Sequence, residues 1–362
     1  MESRAGDEPA ETVELLDGGE QAYPKMLSAI IAAKRSVHLE VYAFSFYGVG
    51  ANFVDALSLA AQKGVKVHVT IDGWGSIRGG RAVAATLRAS GCEVEIYNRF
   101  LALLIGRFGR NHRKILLVDD EVAFVGGINI GDENVEHLGR PGWADLALEI
   151  RGPQCIALGQ TIRREPRRPI VSSLRISLSG LGGGWRMRSH YVRAIAHARR
   201  RIHLAHGYFL PDRGIIHAIT AAARRGVTVR LLLTGRSDVP FARAASRSIY
   251  RKLLAAGVVI HEWQSSVLHA KVATVDGKML LLGSFNLDPF SLVNLEALVE
   301  VTDPKVVDKG EDWIQSRLVL SPQITAVEAG TIWQRYVSDP VGLFVVRMVE
   351  AMTRLLSRRK HH

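Results

Sequence analysis

Apolar positions along the chain switch between the two-residue period of strands and the longer period of helices, and they do so twice in the same order. In the first half a helix ending near Lys34 precedes an apolar run at 37–44, and a helix through Ala60 and Lys63 stops at Gly64 before a second run at 65–71. The second half repeats this: a helix through Arg199 precedes the run at 202–209, and Ala222-Ala223-Arg224-Arg225-Gly226 leads into the run at 227–233, matching Ala60-Ala61-Gln62-Lys63-Gly64. Gly91-Cys92-Glu93-Val94 corresponds in the same way to Gly257-Val258-Val259-Ile260, a helix stop feeding a strand. Strands alternating with helices in two matching series predict an α/β protein made of two duplicated α/β/α sandwich lobes with mixed sheets.

The expected division is an acidic leader at 1–20, a first lobe at 21–152, a linker at 153–187, a second lobe at 188–320 and a C-terminal segment at 321–362. Seven acidic residues against the single Arg4 make the leader read as solvated rather than as a secretion signal. In the linker, Arg163-Arg164-Glu165-Pro166-Arg167-Arg168-Pro169 and Gly182-Gly183-Gly184 break periodicity; its arginines either touch anionic headgroups or are simply solvated. No apolar stretch reaches the roughly 20 residues that a membrane-spanning helix needs.

Superimposed on the repeat is a chemical one. His112, Lys114, Asp119, Gly126 and Asn129 recur 157 positions later as His269, Lys271, Asp276, Gly283 and Asn286. Strand alternation puts His112 and Lys114 on one face, within reach of a common anion, and leaves Asp119 in the turn before the apolar run at 122–125. A single histidine on such a strand is usually structural, but two identical kits imply one shared site. Imidazole attacks and shuttles protons, whereas ammonium and carboxamide groups hold anionic oxygens, so the residue types point to phosphoryl chemistry. For Asp119 and Asp276, direct chemistry and a turn-stabilising role are both open.

Charge adds a partner class. Lysine and arginine exceed aspartate and glutamate 47 to 35, a net charge of +12, which suits a polyanion, either nucleic acid or an anionic lipid surface. The two cysteines, Cys92 and Cys155, have no metal-type spacing and indicate neither a disulfide scaffold nor a zinc site. Two apolar segments are candidates for a lipid interface. One is 100–108, flanked by Arg99 and Arg110; it dips into a bilayer or packs inside the protein. The other is 341–356, a helical stripe followed by Arg358-Arg359-Lys360, which docks on the core or lies on anionic headgroups.

The paired motif, His-x-Lys-x-x-x-x-Asp followed by Gly126-Gly127-Ile128-Asn129 and Gly283-Ser284-Phe285-Asn286, resembles the signature of the phospholipase D superfamily from about Tyr23 to Thr302. Surrounding segments, among them Tyr208-Phe209-Leu210-Pro211-Asp212, Gly235-Arg236-Ser237-Asp238 and the stretch 284–291, are similar to bacterial cardiolipin synthases of the short form, without N-terminal transmembrane helices. The resemblance implies lobes related by pseudo-twofold symmetry, with the motifs meeting at their interface. It implies that one histidine attacks a phosphodiester and forms a phosphohistidine while the other serves as acid and base, here His112 and His269 respectively. Lys114, Lys271, Asn129 and Asn286 would hold the phosphate oxygens. Asp145 and Glu296 stand where the family has its histidine-orienting carboxylates, and no metal or other cofactor is called for. The expected activity is synthesis of cardiolipin by transfer of a phosphatidyl group from phosphatidylglycerol to a second phospholipid alcohol, usually another phosphatidylglycerol with release of glycerol, by a peripheral protein on the cytoplasmic face of the cell membrane. Its partners would be anionic phospholipids rather than nucleic acid; a phospholipase D-type hydrolase, a nuclease and a non-catalytic membrane scaffold are the competing readings.

Overall fold

The computed structural model describes residues 11–98, 109–137, 139–166, 170, 172–180 and 182–325. The apolar segment 100–108 and the stripe at 341–356 lie outside the described residues. Lobe 1 is a seven-stranded mixed sheet in the order β1 (Thr12–Asp17), β7 (Leu146–Arg151), β6 (Val122–Gly126), β5 (Ile115–Val118), β2 (Ser36–Val41), β3 (Lys66–Asp72) and β4 (Glu93–Tyr97). Lobe 2 repeats it as β8 (Leu174–Leu178), β14 (Ala297–Val301), β13 (Met279–Gly283), β12 (Lys271–Val275), β9 (Arg201–His206), β10 (Thr228–Thr234) and β11 (Val259–Trp263). In both, three strands run parallel and four antiparallel, position for position.

The helices form where apolar spacing meets the sheet. Helix α6 (Arg213–Arg224) starts at Asp212, whose carboxylate accepts from the N–H groups of Gly214 and Ile215, and buries Ile215, Ile216, Ile219 and Ala222 along one stripe. It joins α5 (Gly184–His197) and α8 (Tyr250–Leu254) over the outer face of the lobe 2 sheet, with α7 (Pro240–Arg247) leading into α8. Helices α1 (Gly18–Ala32), α2 (Val49–Gln62) and α3 (Gly80–Ala89) cover the outer face of lobe 1. A third core lies between the sheets, where Ile115, Leu117, Val125 and Leu148 share one buried cluster with Val272, Leu280, Leu282 and Val299. Helices α4 (Pro153–Arg163) and α9 (Pro304–Val319) pack into this middle layer and reach across it. The Gln154 amide donates to the Leu174 carbonyl on β8 (3.0 Å), and Trp313 donates from its indole to Asp17 on β1 (2.7 Å). Each lobe therefore clasps the other's edge strand.

Two expected segments are corrected by these strands. The leader does not run to residue 20: Thr12–Asp17 is an edge strand paired antiparallel with β7 along its whole length, and Leu16 is fully buried. Nor is 153–187 a bare linker, since it contains α4, with Cys155 and Leu158 in the middle core, and the edge strand β8 paired with β14. The two corrections are one fact, because β1 and β8 are the equivalent first strands of the duplicated unit. The apolar runs expected at 65–71, 122–125 and 227–233 are strands within a residue or two, whereas β2 and β9 stop at Val41 and His206, short of the expected 44 and 209. Beyond them Phe44 and Phe209 make only isolated bridges, to Ile130 and Leu287.

Candidate active site

The chemistry-bearing edge is set by strand direction. β5 and β12 run antiparallel to β2 and β9, so the starts of the former lie beside the ends of the latter, at the mouth between the lobes. His112 and Lys114 sit in extended backbone just before β5 rather than within it, and His269 just before β12, whose first residue is Lys271. All four side chains are buried.

Two short backbone bridges cross the interface and carry the site. Asn111 pairs with Leu295 and Ala144 pairs with Leu268, both parallel. Through them the His112 N–H donates to the Leu295 carbonyl (2.9 Å) and the His269 N–H to the Ala144 carbonyl (2.9 Å). Leu295 and Ala144 immediately precede the two acids, so each bridge delivers a carboxylate to the histidine of the opposite lobe. Glu296 Oε2 stands 3.1 Å from His112 Nδ1, and Asp145 Oδ2 stands 2.6 Å from His269 Nδ1. With Nδ1–H donated to an acid, the Nε2 of each ring is the atom left for chemistry. The family resemblance pointed to both acids but left open which serves which histidine.

Lys114 Nζ donates to the His112 carbonyl (2.7 Å), and Lys271 Nζ donates to that of His269, so each lysine is folded back beside its own histidine. The Asn129 carboxamide oxygen accepts from the Ala43 N–H (3.2 Å), whereas that of Asn286 is buried with no hydrogen-bond partner among the described residues. The motif aspartates stand elsewhere. Asp119 accepts from the N–H groups of Lys34, Arg35 and Ser36 at 2.7–2.8 Å, and Asp276 from those of Arg199, Arg200 and Arg201 at 2.7–3.0 Å. Both have left-handed backbone, with φ of 55° and 56°. These distances place them at the far ends of β5 and β12, where they fasten the turn to the incoming β2 and β9. Of the two roles left open for Asp119 and Asp276, counted among the catalytic candidates, these contacts are those of the turn-stabilising one.

Electrostatically the site is a cluster of cations with two acids. Burial and the charges of Lys114 and Lys271 hold His112 well below the usual histidine range, and His269 is among the groups that act on it. His269 is lowered too, by burial and Lys271, but Asp145 pulls the other way. Burial would raise Asp145, yet His269 and Lys271 outweigh it and keep the carboxyl low. Glu296 is pushed up to about 7 by burial, against Lys114 and a hydrogen bond from Ser284. Burial and Lys271 bring Lys114 down to about 7. Local packing is unequal as well: a Cβ at Gly127 would stand 2.1 Å from Asp145 Oδ1, while its counterpart Ser284 uses its hydroxyl on Glu296.

Spacing alone does not reveal several residues at the mouth. Tyr42 stands edge-on to His112 (centroids 4.9 Å) beneath Lys114, and Tyr208 edge-on to His269 (5.9 Å) beneath Lys271. Trp143 lies 5.4 Å from the His269 ring. Each tyrosine follows the end of β2 or β9, in registers that differ by one residue, and Tyr208 opens one of the segments that carry the family resemblance. Among the described residues no helix is long and apolar enough to cross a membrane.

Residues 26–139 and 191–318 match the family model described as cardiolipin synthase, PLD-like domain, one block in each lobe. Cardiolipin synthase B of Salmonella typhimurium is 34% identical over 315 residues, covering 80% of this chain and 76% of that protein. Cardiolipin synthase of Geobacillus kaustophilus is 32% identical over 389 residues, with coverage of 98% and 74%. Among solved structures, phosphatidylserine synthase of Haemophilus influenzae has the same fold, with a TM-score of 0.74 across 95% of this chain and 94% of that one at 15% identity. Fold and paired site define a two-lobed enzyme of the phospholipase D type. Within that class, the chain belongs to the cardiolipin synthase family with the PLD-like domain.

Proposed function

We propose that this enzyme makes cardiolipin by moving a phosphatidyl group from phosphatidylglycerol to the free alcohol of a second phosphatidylglycerol, releasing glycerol, as a peripheral protein on the cytoplasmic face of the membrane. The observation that supports this reading is the exchange of acids between lobes, which occupies the Nδ1 of both histidines and leaves each Nε2 for chemistry within one buried cluster where His269, Lys114 and Lys271 all act on His112.

His112 is the nucleophile and His269 the acid and base. A nucleophile must be neutral, and burial together with the charges of Lys114 and Lys271 holds His112 well below the usual histidine range. A general acid must keep a proton, and Asp145, held ionised 2.6 Å away, favours the His269 imidazolium. In the first half-reaction His112 Nε2 bonds to phosphorus, the bond from phosphorus to the glycerol oxygen breaks, and His269 protonates that oxygen. In the second, His269 takes the proton of the incoming hydroxyl, its oxygen bonds to phosphorus, and the phosphorus–nitrogen bond breaks. Lys114, Lys271, Asn129 and Asn286 hold the non-bridging oxygens, and the phosphodiester's charge restores the proton affinity that crowding has taken from the lysines.

The test is incubation of purified enzyme with labelled phosphatidylglycerol in vesicles, with and without phosphatidylethanolamine, followed by lipid mass spectrometry. Cardiolipin with stoichiometric glycerol is expected, undiminished by a chelator because the site supplies its own cations. Phosphatidic acid as the sole product would make the enzyme a hydrolase.

A further inference from the structure

Tyr42 and Tyr208 occupy matching places beside the two histidines but are tied to opposite charges. In lobe 1 the Tyr42 hydroxyl accepts from Arg110 (3.0 Å), whose guanidinium also lies 5.8 Å from the centroid of the Trp74 ring. In lobe 2 the Tyr208 hydroxyl donates to both oxygens of Asp238, at 2.7 and 2.6 Å. Burial and Asp238 raise the Tyr208 phenol, so it keeps its proton and remains the donor. Asp238 itself is exposed, on the loop between β10 and α7, and its charge reaches Lys271 in its own lobe and Tyr42 in the other. It is therefore a solvent-facing carboxylate at the edge of the phosphate site, held by Tyr208 beside the histidine that handles alcohols.

A carboxylate there does not help to bind phosphate. It offers about four lone-pair positions to donors, and one phenol does not exhaust them. The bound group on that side of the phosphorus is a glycerol headgroup in both half-reactions, first as the leaving alcohol and then as the acceptor, and each carries a hydroxyl beyond the one that reacts.

We propose that Tyr208 and Asp238 form an alcohol subsite in which the Asp238 carboxylate accepts a hydrogen bond from a non-reacting hydroxyl of the glycerol headgroup and so selects polyol over simple alcohols. Arg110 and Tyr42 give the opposite rim its affinity for the phosphatidyl phosphate. This inference rests on the transferase reading and on His269 as the acid and base.

The experiment supplies two soluble acceptors together, labelled glycerol and 1-propanol, to the full-length enzyme acting on phosphatidylglycerol in mixed micelles, and reads the ratio of the two phosphatidyl-alcohol products. Wild-type enzyme should favour glycerol. Asp238→Ala should lower the glycerol-to-propanol ratio about tenfold, the scale of one hydrogen bond to a charged group. Asp238→Asn, which keeps an acceptor oxygen, should fall between them, and Tyr208→Phe should lower the ratio by releasing the carboxylate. An unchanged ratio in Asp238→Ala, or equal loss of both products, overturns the subsite while leaving the function intact. If wild-type enzyme yields only phosphatidic acid with either alcohol, the transferase reading fails instead.

Discussion

Asp145 and Glu296 hold equivalent imidazoles, but the two pairs differ in charge. Asp145 is short, close to its histidine and kept ionised; Glu296 is longer, 3.1 Å from its histidine, and pushed up to about 7 by burial. Removing the Asp145 charge removes the influence that opposes the fall in the His269 pKa, so the imidazolium is lost at lower pH. Asp145→Asn should therefore lower kcat by about 10²–10⁴-fold, the usual range for a disabled general acid, and move the alkaline limb of the pH–rate profile toward acid. Glu296→Gln should slow the reaction without that displacement, because the limb belongs to the other histidine. If the displacement follows Glu296→Gln instead, the assignment of nucleophile and acid is reversed. Residue types and spacing were enough to find the histidines and lysines, and the family resemblance pointed to the acids. Neither could show which acid serves which histidine, since that depends on two bridges between segments more than a hundred residues apart in sequence.

At the scale of elements, the motif aspartates act on architecture. Each gathers three backbone N–H groups at the start of β2 or β9, two from the residues just before the strand and one from its first residue. Burial would raise Asp276, but those donors and Arg200 hold it down. A lowered carboxyl contributes stability above its unfolded pKa and loses it as pH falls through the folded value. Asp276→Asn should accordingly destabilise the protein by about 1–2 kcal/mol at pH 7, measured from denaturant midpoints, with the deficit shrinking toward pH 3 and kcat retained. A large loss of kcat at unchanged stability would return Asp276 to the chemistry. The same scale explains what the apolar pattern hid. The helix-to-strand steps at Gly64 and Gly226 are read directly from the chain, because each apolar run fills a sheet between two packed faces. β1 and β8 are short edge strands whose exposed positions carry Thr12, Glu14 and Arg175, so one resembles an acidic leader and the other part of a linker. Only their pairing with β7 and β14 identifies them.

For the molecule as a whole, the middle core makes the lobes inseparable although the repeat looks like two units. The inner face of each sheet is buried against the other lobe and against α4 and α9, and α9 secures Asp17 on β1 through Trp313 and a two-point contact from Arg317 at 3.0 and 2.9 Å. Separating the lobes would expose Ile115, Leu117 and Val125 on one side and Val272, Leu280 and Leu282 on the other, and would leave each histidine without its acid. Burial on this scale dominates the stability of either half, so thermal unfolding should be a single transition seen alike by calorimetry and by tryptophan fluorescence. Leu282→Ala, which hollows the shared layer from one side, should lower that single midpoint at a cost of about 2–5 kcal/mol rather than split it. Two resolved transitions, or an isolated half that stays folded and monomeric, would show that the lobes are independent domains. Because the paired imidazoles exist only while the interface does, activity should vanish along the same curve as the tertiary signal.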